Sequence, residues 1–176
     1  MKKNLPNLTM VLGGAASGKS FFAENMIYDS GLSRTYIATS QAWDDEMRTK
    51  IEQHKIQRGT DWTTLEVPIA LPQSLQSSPV GDAILIDCAT LWLTNLMLGE
   101  NDISAATDKL LTALQSHPSP VVIVTNEVGA GIVPQAKMGR DFRNIQGRFN
   151  QRLAADADLV VQVTAGLPHV LKGQLP

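Results

Sequence analysis

Residues 13–20, GGAASGKS, fit the pattern G-x-x-x-x-G-K-[S/T] and constrain this chain more than any other feature. Such a loop needs an apolar strand leading in and a helix leading out. Residues 9–12 form a short apolar run ending in glycines, which predicts a buried strand entering a loop. Residues 19–28 predict the helix, with Phe22 and Met26 one turn apart and Gly31 beyond its end. In this context Gly13, Gly14, Ala15, Ala16, Ser17 and Gly18 offer backbone N–H groups that curl around phosphates, and the helix directs its positive end at them. Lys19 then reaches the β- and γ-phosphates, and the Ser20 hydroxyl ligates Mg²⁺. The expectation is a nucleoside triphosphate bound with Mg²⁺. The alternative, a glycine-rich turn formed by chance, is disfavoured by the strand before it and the helix after it.

Apolar patterning organises the rest. Residues 34–38, 65–67, 83–87, 121–124 and 159–163 read as strands, with a short last strand at 169–171. Residues 44–58, 90–98, 105–116 and 141–157 read as helices. The 44–58 helix is the best marked, with Asp44, Asp45 and Glu46 in its first turn, Lys55 and Arg58 in its last, and Gly59 ending it. Residues 68–79 hold three prolines and several serines and read as an irregular surface linker. Strands alternating with helices predict an α/β fold with a doubly wound, mostly parallel sheet. No repeat or boundary divides the chain, so residues 1–176 are expected to form one nucleotide-binding catalytic domain. Asp87 ends a continuous apolar strand, where a second acidic group holds the metal or its water; its alternative role is to cap the following helix.

Composition excludes several classes. At 43% hydrophobic and 18% charged, the chain reads as an ordinary soluble globular protein, large enough to bury about 70% of its unfolded surface. A net charge of −2 gives no general attraction to nucleic acid or anionic membrane. The single cysteine, Cys88, excludes an internal disulfide framework and reads as a buried core thiol. Lys2 and Lys3 precede an apolar stretch that Pro6 and Asn7 interrupt, and no segment approaches the ~20 apolar residues of a membrane span. A cytoplasmic protein is expected.

His54 is the most informative single residue. On the 44–58 helix it shares a stripe with Met47 and Ile51 at i, i+4, i+7 spacing, so an imidazole continues the apolar face. On pattern alone a satisfied boundary histidine is the better reading. The neighbouring cations Lys55 and Arg58 favour the other one: they keep the ring neutral, hence nucleophilic, and hold a phosphate delivered to it.

Several segments then converge on one family. GGAASGKS (13–20), YIATSQAWDDEM (36–47), EQHKIQR (52–58), ILIDCATLWLTNLM (84–97), VTNEVGAGIVP (124–134) and FRNIQGRFNQRLAADAD (142–158) resemble, in order and over nearly the whole chain, the bifunctional adenosylcobinamide kinase / adenosylcobinamide-phosphate guanylyltransferases of cobalamin biosynthesis. The resemblance implies two reactions with GTP and ATP as substrates. A nucleoside triphosphate phosphorylates adenosylcobinamide, and GTP then donates GMP to adenosylcobinamide phosphate through a guanylylated histidine, which His54 matches. It places Ala38, Thr39, Ser40, Lys55, Ile56, Gln57, Arg58, Glu66 and Asp87 at nucleotide contacts, with Ser20 and Asp87 at the metal. It also implies a sheet of the P-loop NTPase, RecA-like type, and a homotrimer. Two departures stand out. Many members have Arg where this chain has Ala16, and some have a His pair where it has Gln53-His54. The competing readings are another small-molecule kinase with a structural His54, and a non-catalytic nucleotide switch.

Overall fold

A computed structural model describes residues 4–41, Thr49, Gly59 and residues 61–176. The described elements are β1 (Leu8–Gly13), α1 (Lys19–Ser30), β2 (Arg34–Ala38), β3 (Thr63–Glu66), α2 (Leu71–Gln76), β4 (Ala83–Asp87), α3 (Ala89–Leu98), α4 (Ile103–Ser116), β5 (Val121–Asn126), α5 (Lys137–Asp156), β6 (Leu159–Thr164) and β7 (Leu167–Lys172). Of the helix expected at 44–58 only Thr49, which is helical, is described.

The strands form one sheet in the order β3-β2-β4-β5-β1-β6-β7. All neighbours run parallel except β6 and β7, which pair antiparallel. Parallel strands covered on both faces must be apolar on both sides, and β5 shows how. Val121 and Ile123 enter one core with Met10, Trp92, Leu110 and Phe149, while Val122 and Val124 enter another with Val11, Ala23, Ile27 and Leu159. Among the described helices, α1 fills the second core and α2, α3, α4 and α5 fill the first.

Handedness explains this division. From β1 the chain moves over α1 toward β2 and β3, then returns through β4 and β5 and crosses to β6. Right-handed crossovers travelling in opposite directions must lie on opposite faces. The connections leaving β1 and its neighbour β5 therefore diverge, opening a crevice at their carboxyl ends where ligands of such sheets bind.

The expected doubly wound, mostly parallel α/β sheet is borne out, with three local differences. Residues 68–79 are no simple linker: Leu71–Gln76 is helical, and Leu71 and Leu75 are 0% exposed. Pro72 stands in the first turn, where a missing N–H costs no helical hydrogen bond, so proline there did not signal a break. Helix α5 begins at Lys137 rather than 141, its first residues being exposed and therefore without an apolar stripe. Strand β7 runs from Leu167 because the hairpin turns at Ala165-Gly166, whose φ values of 52° and 78° suit a tight two-residue turn.

Leu75→Ala separates a core helix from a surface linker. Truncation at a fully buried site is expected to cost about 2–5 kcal/mol in urea unfolding, whereas a linker position would change stability by less than about 0.5 kcal/mol.

Candidate active site

The loop between β1 and α1 is shaped by its carbonyls. The Gly13 oxygen accepts from Glu127 N–H at 3.1 Å, and the Gly14 oxygen accepts from Ser17 N–H at 3.3 Å and from the Lys19 ammonium at 3.1 Å. The Ser17 oxygen accepts from Gly166 N–H at 2.8 Å and the Gly18 oxygen from Phe22 N–H at 3.0 Å. Gly18 caps α1 with no side chain, so the first-turn N–H groups of the helix have no intrahelical partner. With Ala16 at φ 54° and Gly18 at φ 90°, successive N–H groups turn toward one concavity, a nest suited to an anion.

Two glycines are dictated by contact. A Cβ on Gly13 would stand 2.5 Å from both Ser17 Oγ and the Val163 carbonyl oxygen. One on Gly18 would stand 3.2 Å from Gly166 Cα, at a φ that side chains rarely adopt. The β6–β7 hairpin thus abuts the phosphate loop. Gly14, Ala15 and Ala16 are exposed, while Ser17 is buried with its hydroxyl unpartnered among the described residues. Lys19 and Ser20 line a cleft of about 640 Å³ that runs along α1 past Phe21 and Tyr28 to Trp62.

Asp87 sits two strands from the loop. Strand β5 lies between β4 and β1, and Asp87 pairs with Val124 while Val124 pairs with Val11. Alternation along β4 sends Asp87 to the same sheet face as Leu85 and hence as α1. Its Oδ2 accepts a 2.9 Å hydrogen bond from the Tyr36 hydroxyl, which fixes the carboxylate. The capping alternative is not what is observed: Cys88 holds the cap position of α3, with no side-chain cap bond. Cys88 is the buried thiol expected, its pKa raised to about 12 by desolvation and then by the Asp87 charge. Below that value it keeps its proton, so near neutrality it is neither nucleophile nor thiolate ligand.

Ala38 and Thr39 are buried at the tip of β2. The Ala38 carbonyl accepts from Val67 N–H at 2.7 Å. The Thr39 hydroxyl donates to the Cys88 carbonyl at 2.7 Å and accepts from Cys88 N–H at 2.9 Å, and Asn95 Nδ2 donates to the Thr39 carbonyl at 2.8 Å. Ser40 is half-buried just beyond. Glu66 is exposed at the tip of β3, level with Ala38 and, through it, with Asp87. Four strand spacings separate β3 from β1, roughly 19 Å at ~4.8 Å each. The loop and Asp87 are therefore brought close, and Glu66 stands at the far end of the same rim. His54, Lys55, Ile56, Gln57 and Arg58 lie outside the described residues.

Sequence patterning did not single out Tyr36, Thr90 or Asn126. Tyr36 bonds Asp87, and its ring meets Trp62 edge-on at 5.9 Å. Arg34 lies 5.8 Å from the Trp62 ring and 4.8 Å from the Tyr28 ring, the two rings that line the cleft. The available signal was parity: Tyr36 is two residues before Ala38 on a strand whose tip borders the site.

A phosphate loop at the switch point of a parallel sheet, with a carboxylate ending a nearby strand, defines a nucleotide-binding protein of the P-loop class. Agreement in fold alone comes from the RadB recombinase, 17% identical, with a TM-score of 0.51 over 90% of this chain and 74% of that one. Sequence comparison is more specific. The family described as cobinamide kinase / cobinamide phosphate guanyltransferase matches residues 9–171. The bifunctional adenosylcobalamin biosynthesis protein CobU of Salmonella typhimurium is 44% identical, over 94% of this chain and 99% of that protein. CobP of Pseudomonas aeruginosa, which carries the same description, is 41% identical over 94% and 97%. The chain belongs to the cobinamide kinase / cobinamide phosphate guanyltransferase family.

Gly18→Ala tests the loop's support. The added Cβ strains a left-handed φ and presses on Gly166, so a stability loss of about 1–3 kcal/mol is expected. Affinity for a fluorescent triphosphate should fall at least about tenfold, as the N–H groups lose alignment. Unchanged affinity would mean that the loop's exact path does not matter.

Proposed function

We propose that this chain catalyses both reactions of its family in one domain. In the first, the alcohol oxygen of adenosylcobinamide forms a bond to the γ-phosphorus of ATP or GTP. The bond from that phosphorus to the β,γ-bridging oxygen breaks, and a nucleoside diphosphate leaves. In the second, a phosphate oxygen of adenosylcobinamide phosphate receives the GMP unit of GTP, giving adenosylcobinamide-GDP and pyrophosphate. The observation that carries this reading is the carbonyl-anchored loop with Lys19 at its end, in a chain matched to the family over residues 9–171. Phosphoryl transfer depends mainly on positioning and charge, which the loop N–H groups and Lys19 supply.

The donor set fits Mg²⁺. Ser20 lies in the first turn of α1, and Asp87 has one carboxylate oxygen held by Tyr36. Few protein ligands suit Mg²⁺, which keeps waters and phosphate oxygens in its shell. When bound, it would offset negative charge on the phosphates.

For the guanylyl step we assign His54 as nucleophile. Its ring nitrogen attacks the α-phosphorus of GTP, pyrophosphate leaves, and the phosphoramidate passes GMP to the corrinoid phosphate. Lys55 and Arg58 offset charge at the α-phosphate, and Ile56, Gln57, Ala38, Thr39, Ser40 and Glu66 complete the nucleotide contacts. The working form is a cytoplasmic homotrimer acting on small molecules. Among the described residues no helix is long and apolar enough to cross a membrane.

Incubation with Mg²⁺ and GTP labelled at the α-phosphate tests the histidine assignment. Label should remain on the denatured chain, survive alkali, be lost in acid and vanish in His54→Ala. Guanylyl transfer at the wild-type rate in that variant would contradict it.

A further inference from the structure

Asn126 closes β5, level with Gly13 of the phosphate loop, on the strand that separates the loop from Asp87. Its backbone is fixed on both sides. The N–H donates to Thr90 Oγ1 at 2.8 Å, and the carbonyl accepts from Asn150 Nδ2 at 3.1 Å. Its orientation follows from the pleat. Thr125 faces α5, where its hydroxyl donates to Asn150 Oδ1 at 2.8 Å and accepts from Gln146 Nε2 at 2.9 Å. Val122 and Val124 face α1, and Asn126 shares their parity. Its side chain therefore belongs to the face that carries the phosphate loop and Asp87. Among the described residues its Oδ1 is buried without a hydrogen-bond partner.

An unpaired buried carbonyl oxygen is costly and calls for a donor. Phosphate oxygens are acceptors and cannot satisfy it; they can take only the Nδ2 hydrogens of the same amide, which leaves Oδ1 for a donor. Of the two proposed acceptor substrates, only that of the first reaction carries an O–H donor at its reacting end. The second brings a phosphate monoester, which offers acceptor oxygens.

We propose that Asn126 is a catalytic residue of the kinase step, its Oδ1 accepting from the incoming alcohol and aiming that oxygen at the γ-phosphorus. The alcohol oxygen forms the new O–P bond as the bond to the bridging oxygen breaks and the nucleoside diphosphate leaves. The alcohol proton passes to an oxygen of the transferred phosphoryl group and from the product to water. Asn126 takes no proton, since an amide oxygen is too weak a base. The inference rests on the kinase half of the proposed function.

Wild-type protein is first shown to phosphorylate adenosylcobinamide; if it does not, the proposed function fails before Asn126 is tested. Asn126→Leu, close in size but unable to accept, is then compared for kinase kcat, nucleotide KM and the ratio of kinase to guanylyltransferase turnover. The expected result is a kinase kcat lower by about 10- to 100-fold, as for a misaimed nucleophile. Nucleotide KM should stay within about twofold, and the ratio should fall. Asn126→Ala decides the matter with the same readouts if the Leu variant does not fold. A kinase kcat within about twofold of wild type would overturn the proposal. So would equal losses in both reactions with weakened nucleotide binding, which would mark Asn126 as structural.

Discussion

A loop that must offer its N–H groups to a ligand can be held in shape only by its carbonyls, and that constraint underlies the architecture here. Four carbonyls between Gly13 and Gly18 are bonded, to Glu127, Ser17, Lys19, Gly166 and Phe22. Two of these donors come from distant strand ends, Glu127 after β5 and Gly166 in the β6–β7 turn. The phosphate loop is therefore formed by the folded sheet rather than by local sequence alone. The antiparallel strand at the sheet edge has a purpose in this account: its turn brings Gly166 against Gly18.

The strand tips are fixed by a second set of polar contacts. Thr39 spans from β2 to the Cys88 backbone, Tyr36 holds Asp87, Thr90 holds Asn126, and Thr125, Gln146 and Asn150 tie β5 to α5. Each such bond contributes about 1 kcal/mol net, so their value lies less in stability than in position. Positioning of that kind is what phosphoryl transfer requires of a protein. Neutral side chains do most of this tying, which keeps charge for the ligand: Lys19 from the loop, Asp87 from β4.

Much of this was legible in the residues. Strands such as Ala83–Asp87 are read easily because burial on both faces demands an unbroken apolar run, and the phosphate loop because its chemistry fixes residue types at fixed spacing. Helix α2 escaped because proline in a first turn resembles a break, and α5 because its start is exposed. Tyr36 and Asn126 escaped for another reason. Their roles arise from strand order, which places β5 between β1 and β4, and no local pattern reports which strands become neighbours. His54 is a different case: its assignment rests on the family resemblance and on its cationic neighbours in sequence.

A loop built this way should hold the nucleotide by its phosphates more than by its base. Calorimetric titration with GMP, GDP and an α,β-methylene analogue of GTP, which resists attack at the α-phosphorus, tests it most directly. Affinity is expected to rise at least about tenfold from GMP to the triphosphate analogue, consistent with charge-assisted hydrogen bonds to the added phosphates. Equal affinity across the series would contradict it and locate the binding energy elsewhere.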